Sequence, residues 1–270
     1  MRTRSVQWIG TVVLTSVVLV GAIGCGKQSS NGGAEREVRV AAAADLKFAL
    51  DEVSAEFMAK NPGIKVSVTY GSSGTLFAQL TNEAPFDLFL SADIDYPRKL
   101  IEQGRAVKDS EFLYAVGHLV VWVPNNSKLD LEKLGIRAAT DSSVRKVAVA
   151  NPRTAPYGRA AEAALKQLGV YEAVRDRLVF GENIAQTAQF VESGAADVGL
   201  IALSLALSPA MRDKGRYWSV PLDAYPRLEQ GGVILNNPKD AEAVQTFRTF
   251  LTSADGRVIL KRYGFTLPGE

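Results

Sequence analysis

The chain is short of the side chains that carry most covalent and metal chemistry: its 270 residues include one cysteine, Cys25, and one histidine, His118. A single cysteine excludes an internal disulfide. A single histidine, with no acidic or sulfur partner at ligand spacing, leaves the zinc patterns unfilled, and P-loop and dinucleotide glycine patterns are also missing. No resident metal or cofactor is therefore expected. No run of like charge and no basic stripe occurs, which argues against nucleic acid as a partner. What is abundant is apolar: 47% of residues are hydrophobic, enough for one large or two medium α/β units.

At the N-terminus Arg2 and Arg4 precede "SVQWIGTVVLTSVVLVGAIGC", an uncharged stretch with the form of a secretory signal. An uncleaved anchor helix is the competing reading. Cys25 stands directly behind Ala22-Ile23-Gly24, a junction that resembles the lipobox where bacterial lipoproteins are cut and acylated, although Ala-x-Gly also suits the ordinary signal peptidase. Residues 1–24 are expected to be signal peptide. Residues 25–37, with the polar "GKQSSNGGAERE", are expected to be a tether to lipid on Cys25, on the outer side of a membrane. Cutting before Cys25 lowers lysine plus arginine from 31 to 29, against 29 acidic residues, so the mature chain is close to neutral.

From Val38 onward, strands and helices alternate. "VRVAAAA", "IKVSVTY" and "FDLFLSA" read as strands, each followed by a helical pattern, and "RKVAVANP" and "ADVGLIAL" repeat the scheme. Such alternation predicts parallel sheets covered on both faces. One continuous sheet would need about ten strands, so two lobes are more economical. "AVGHLVVWVP" and "YPRLEQGGVIL" are the expected crossings, giving residues 38–117 with 228–270 as one lobe and 118–227 as the other.

The stretch "YGSSGT" ends a strand at Tyr70 and opens a helix near Ser73, with Gly71 and Gly74 around two hydroxyls. First-turn amides have no partner inside their helix and carry partial positive charge, which makes an anion site. The plainer reading is that Ser73 caps its own helix. Recurrence favours the anion: "AAAADLKF", "NPRTAPYGRAA" and "FGENIAQTA" are three more strand-to-helix turns, and in open α/β sheets such turns face one crevice.

Seven stretches in order, "AAAADLKFAL", "YGSSGTLFAQL", "APFDLFLSAD", "NPRTAPYGRAAEAAL", "GENIAQTAQFV", "ADVGLIALS" and "KRYGF", resemble the molybdate-binding proteins of ABC importers. The resemblance implies a two-lobed venus-flytrap receptor, the type II periplasmic binding-protein fold with two crossing hinge strands. Its ligand would be molybdate or tungstate, its partner the transmembrane subunits of an ABC permease, and its state a monomer. Carried over by position, the contacts would be Ala44 and Asp45, Ser73, Tyr157 and the amide of Ile184, with Ser72, Gly74, Gly158 and Asn183 in support. Molybdenum or tungsten would enter only as the oxyanion.

Two positions depart from the family pattern. Some relatives carry a binding tyrosine where this chain has Ala202, and the phenol of Tyr157 is expected to compensate. Asp45 replaces a donor side chain, and an ionised carboxylate cannot donate. Either Asp45 turns away to cap its helix, or it accepts a proton from hydrogen phosphate or arsenate. Asp87 and Asp93 are expected to organise a turn, and His118 to sit in a hinge. A serine hydrolase using Ser73 is the remote alternative, and Gly71-Ser72-Ser73-Gly74 lacks the Gly-x-Ser-x-Gly spacing it would need. No enzyme activity is expected.

Overall fold

The structure is a computed structural model that describes residues 36–270, and the expected signal segment and Cys25 lie outside the described residues. The chain first builds β1 (Arg36–Ala43), a 3-10 turn (Ala44–Leu46), α1 (Lys47–Lys60), β2 (Ile64–Gly71), α2 (Ser73–Thr81), β3 (Leu88–Ser91), α3 (Asp95–Glu102) and β4 (Phe112–Gly117). It then crosses into β5 (Leu119–Pro124), α4 (Leu131–Leu134), β6 (Val147–Ala150), α5 (Pro156–Gln167), α6 (Tyr171–Val174), β7 (Leu178–Gly181), α7 (Ile184–Glu192), β8 (Val198–Ala202), α8 (Leu203–Ala206) and β9 (Gly215–Ser219). It returns through β10 (Leu228–Ile234) and ends in α9 (Ala241–Thr252) and α10 (Ala254–Arg262).

Two five-stranded sheets result, in the orders β2-β1-β3-β10-β4 and β7-β6-β8-β5-β9. Each has a parallel trio, β1 with β2 and β3 in one and β6 with β7 and β8 in the other. The wholly parallel sheets expected from the alternation are nevertheless mixed, because β10 runs antiparallel to β3 and β4, and β5 to β8 and β9. The reason is where the crossings land. A strand arriving from the other lobe enters at the carboxyl end of the parallel trio and runs away from it, whereas parallel neighbours require a helix-bearing crossover. The first crossing is the single residue His118, between β4 and β5.

Local chemistry explains the element ends. On α1, Ala49, Leu50, Val53 and Phe57 repeat at helical spacing and are all buried, with Phe57 set edge-on to Phe247 of α9 at 5.0 Å. Ser253 separates α9 from α10 and caps the second by accepting from the Gly256 amide. β1 starts at Arg36, two residues before the expected strand, and its register with β2 is unbroken from Arg36 against Ile64 to Ala43 against Gly71. Among the described residues no helix is long and apolar enough to cross a membrane.

Candidate functional site

The carboxyl ends of β1, β2 and β3 in one lobe face those of β6 and β7 in the other, and a small cavity lies between them. Its wall comprises Ala43, Ala44 and Asp45 after β1, Gly71, Ser72 and Ser73 after β2, Ala92 after β3, Ala155, Pro156 and Tyr157 before and within α5, and Ile184 at the start of α7. The space between them is ≈ 10 Å³, about room for the centre of one water-sized sphere. No lysine, arginine or histidine is in that wall.

The two serines divide their work. Ser72 is the N-cap of α2: its Oγ accepts from the Thr75 amide at 3.3 Å and donates to Thr75 Oγ1 at 2.8 Å. Ser73 is thereby freed from capping. Its buried Oγ accepts from the Ala92 amide at 3.0 Å, and its hydroxyl hydrogen has no acceptor among the described residues. Asn183 does for α7 what Ser72 does for α2, accepting from Ala185 and Gln186 at 3.0 Å each. That leaves the Ile184 amide, the first of its helix, without an intrahelical partner, on a residue that lines the cavity. Gly74, Gly158 and Asn183 stand behind the wall rather than in it. Gly158 lets α5 approach β6, since a Cβ there would meet the Ala150 carbonyl oxygen at 2.3 Å.

Asp45 does not cap a helix. The chain inserts the 3-10 turn between β1 and α1, so the α1 N-cap falls on Leu46, and neither helix start receives a side-chain cap bond. The carboxylate, 1% exposed, instead accepts from Gln230 Nε2 of β10 at 2.5 Å. Burial raises its pKa to about 6, against the opposing pull of hydrogen bonds from Gln230 and Tyr157. Tyr157, equally buried, has its OH 3.3 Å from Gln230 Nε2. Burial, and then the nearby Asp45, hold that phenol well above its usual pKa, so it stays neutral. Room for the hydroxyl comes from Gly117, where a Cβ would sit 2.2 Å from it. Ala202 is buried at the end of β8 and is not in the wall.

Five hydrogen bonds tie one lobe to the other. The Gly74 amide donates to the Thr154 carbonyl at 2.8 Å, and Ser204 Oγ donates to the Asp45 carbonyl at 2.7 Å. Gln230 reaches Tyr157, and Arg159 reaches Asp93 at 2.5 Å and the Tyr96 hydroxyl at 3.2 Å. Gln230, Ser204 and Thr154 were not singled out from the sequence. The one signal was a glutamine inside the apolar crossing strand, directly before Gly231-Gly232.

The remaining polar positions are structural. Asp93 organises its turn by accepting from the Asp95 amide at 2.9 Å. Asp87 is fully buried and instead holds Arg39, accepting from its amide, Nε and guanidinium at 2.7 to 2.9 Å. His118 pairs with Thr266 Oγ1 at 2.7 Å, and burial, then Arg227, lower its pKa. It shares no hydrogen bond with Ser73 among the described residues.

Comparison with known proteins places this architecture. The molybdate-binding protein ModA of Azotobacter vinelandii is 37% identical over 249 residues, covering 92% of this chain and 97% of that protein. The protein of the same name from Rhodobacter capsulatus is 36% identical over 229 residues, 85% of this chain and 88% of that one. The solved periplasmic molybdate-binding protein of Azotobacter vinelandii superposes with a TM-score of 0.78 at 32% identity, over 86% of this chain and 99% of its own. The two sheets joined by crossing strands are the two-lobed type II binding-protein fold. The model of the family described as bacterial extracellular solute-binding protein matches residues 38–266, and this chain belongs to that family.

Proposed function

We propose that this chain is an exported receptor that captures molybdate, and tungstate of the same shape, between its lobes and delivers it to the transmembrane subunits of an ABC permease. The observation that carries the reading is a small interlobe cleft lined by residues at four strand-to-helix turns and by Ser73, whose hydroxyl hydrogen is uncommitted, with no cationic side chain in the wall. Relatives bearing the name molybdate-binding protein support the choice of anion.

Ala44, Asp45, Ser73, Tyr157 and Ile184 hold the anion through its oxygens, and no protein atom coordinates the central metal. Fixed neutral donors select by size: a smaller tetrahedral anion such as sulfate reaches fewer of them, and each buried donor left unpaired costs roughly 1–3 kcal/mol. Two such donors account for a hundredfold preference or more. The ligand is cargo, and no cofactor or catalytic step enters the reading. One chain supplies the whole wall, which fits a monomer. Each sheet with its helices moves as a lobe about the crossings at His118 and before β10, opening to exchange the anion and closing to present it. Residues 1–24 direct export, and acylated Cys25 holds the receptor at the membrane through the tether.

Calorimetric titration of the purified protein with molybdate, tungstate, sulfate and phosphate tests this. Binding of the first two well above the others is expected. Phosphate bound in preference to molybdate would reassign the cargo.

A further inference from the structure

Asp45 is an acid built into the wall of a site assigned to a dianion, and nothing around it supplies a counter-charge. Its Oδ2 accepts from Gln230, while Oδ1 is buried with no partner at hydrogen-bond geometry, the Tyr157 hydroxyl and the amides of Asp45 and Leu46 lying only near enough to pull on its charge, and the buried Oε1 of Gln230 also has none. Two buried acceptors without a donor leave the cluster short of hydrogen.

The groups that face Asp45 come from four elements. Gln230 of β10 is an amide, and Tyr157 of α5 and Tyr114 of β4 are phenols kept neutral, first by burial and then by Asp45 itself. Ser204 of α8 spends its hydroxyl on the Asp45 carbonyl. Of the basic side chains on the flanking helices, Lys47 pairs with Asp51 on its own helix and Arg159 with Asp93. Burial is the largest influence on Asp45, and the groups that oppose it, Gln230, Tyr157 and the amides of Asp45 and Leu46, are all neutral. An ionised carboxylate and a dianion in one narrow, cation-free cleft repel each other, and Asp45 itself is almost wholly out of the solvent that would screen it.

We infer that the oxyanion enters together with one proton from solvent, which binds Asp45 and turns its carboxyl from a repelling acceptor into a hydrogen-bond donor. The step forms one O–H bond on the carboxylate and consumes one hydron from water or buffer, with no other bond changed. It rests on the cavity being the oxyanion site. Burial has already pushed this carboxyl up to about 6, so the proton is within reach at neutral pH. A ligand that carries its own proton, such as hydrogen phosphate, has the opposite need, an ionised Asp45.

The test is calorimetric titration of the full chain with molybdate from pH 6 to pH 8, repeated in buffers of different ionisation enthalpy. For a single group titrating at about 6 the dissociation constant should weaken about fiftyfold across that range, with about one proton taken up per anion at the upper end. Asp45→Asn, which keeps the shape and cannot ionise, should bind with a flat pH profile, take up no proton and exceed the wild type at pH 8. Molybdate binding by the wild type with a flat profile and no proton uptake would overturn the inference and leave the oxyanion reading intact. A pH slope that persists in Asp45→Asn would also overturn it, by placing the proton elsewhere, for example on His118. Absence of molybdate binding at every pH would overturn both. If Asp45→Asn does not fold, the proton count on the wild type decides.

Discussion

Gly74 lies on the seam where the lobes meet, and adding one methyl group there should separate binding from stability. A Cβ at this position would stand 2.7 Å from the Thr154 carbonyl oxygen and 2.9 Å from the Tyr96 hydroxyl. Ordinary contact begins near 3.4 Å, so Thr154 must retreat by roughly 0.7 Å, which stretches the 2.8 Å bond from the Gly74 amide to about 3.5 Å and breaks it. The obstacle is backbone, which cannot rotate away as a side-chain tip can. Losing that bond between two half-buried residues costs about 1–2 kcal/mol of closure. If only the closed form holds the anion, Gly74→Ala weakens binding about five- to thirtyfold. The same change favours the isolated lobe, because Gly74 is a helical residue at ordinary φ and alanine there gains up to about 0.5–1 kcal/mol. The expected result is therefore opposite in sign for two assays: an unchanged or raised Tm without ligand, and a weaker Kd for molybdate by calorimetry. Wild-type affinity in Gly74→Ala would refute closure along this seam.

Three further outcomes are expected. Ser73→Ala removes a hydroxyl donor to a charged ligand, worth about 1.5–3 kcal/mol, and should weaken molybdate at least tenfold. Because it also strips the Ala92 amide of its acceptor, Tm should fall modestly without loss of the fold; unchanged affinity would remove Ser73 from the site. Tyr157→Phe should weaken binding if the phenol replaces the donor absent at Ala202, and wild-type titration curves would refute that compensation. Asp87→Ala should destabilise the first lobe by about 2–3 kcal/mol in chemical denaturation, since it leaves Arg39 without its anchor. Burial alone would raise the Asp87 pKa, but the Arg39 hydrogen bond and the Lys239 and Arg39 amides outweigh it, and the net shift is downward. This stability is present above the unfolded carboxyl range and is lost as pH falls through the lower folded value, so the difference between Asp87→Ala and wild type should vanish in acid. A difference that persists unchanged in acid would contradict the assignment.

The four turns that build the cavity were legible in sequence because each couples a strand end to a helix start through short polar residues. "YGSSGT" and "FGENIA" announce their caps in one line of text. Which serine caps and which stays free was not legible, since either spacing is chemically reasonable. The register of α2 decides it by placing Ser72 at the N-cap. The cap, one of the two readings open for Asp45 in the sequence, fails because the 3-10 turn after β1, invisible in a run of four alanines, shifts the start of α1 by two residues. Gln230 and Ser204 were out of reach for another reason. They meet Asp45 from 185 and 159 residues away, and such contacts are products of the two crossings rather than of any local pattern. The antiparallel strands have the same origin, since their direction depends on where the chain re-enters a lobe.

The account stands on one claim, that a tetrahedral oxyanion sits among the first-turn amides and the Ser73 hydroxyl rather than beside a cation. The most direct measurement is a crystal structure of the protein grown with molybdate, with anomalous scattering used to locate molybdenum. A single molybdenum position is predicted in the interlobe cavity, its oxygens within hydrogen-bond reach of Ser73 Oγ and the amides of Asp45 and Ile184. Molybdenum found in the larger ≈ 450 Å³ pocket beside Arg39 and Arg105, with the interlobe cavity empty, would contradict it.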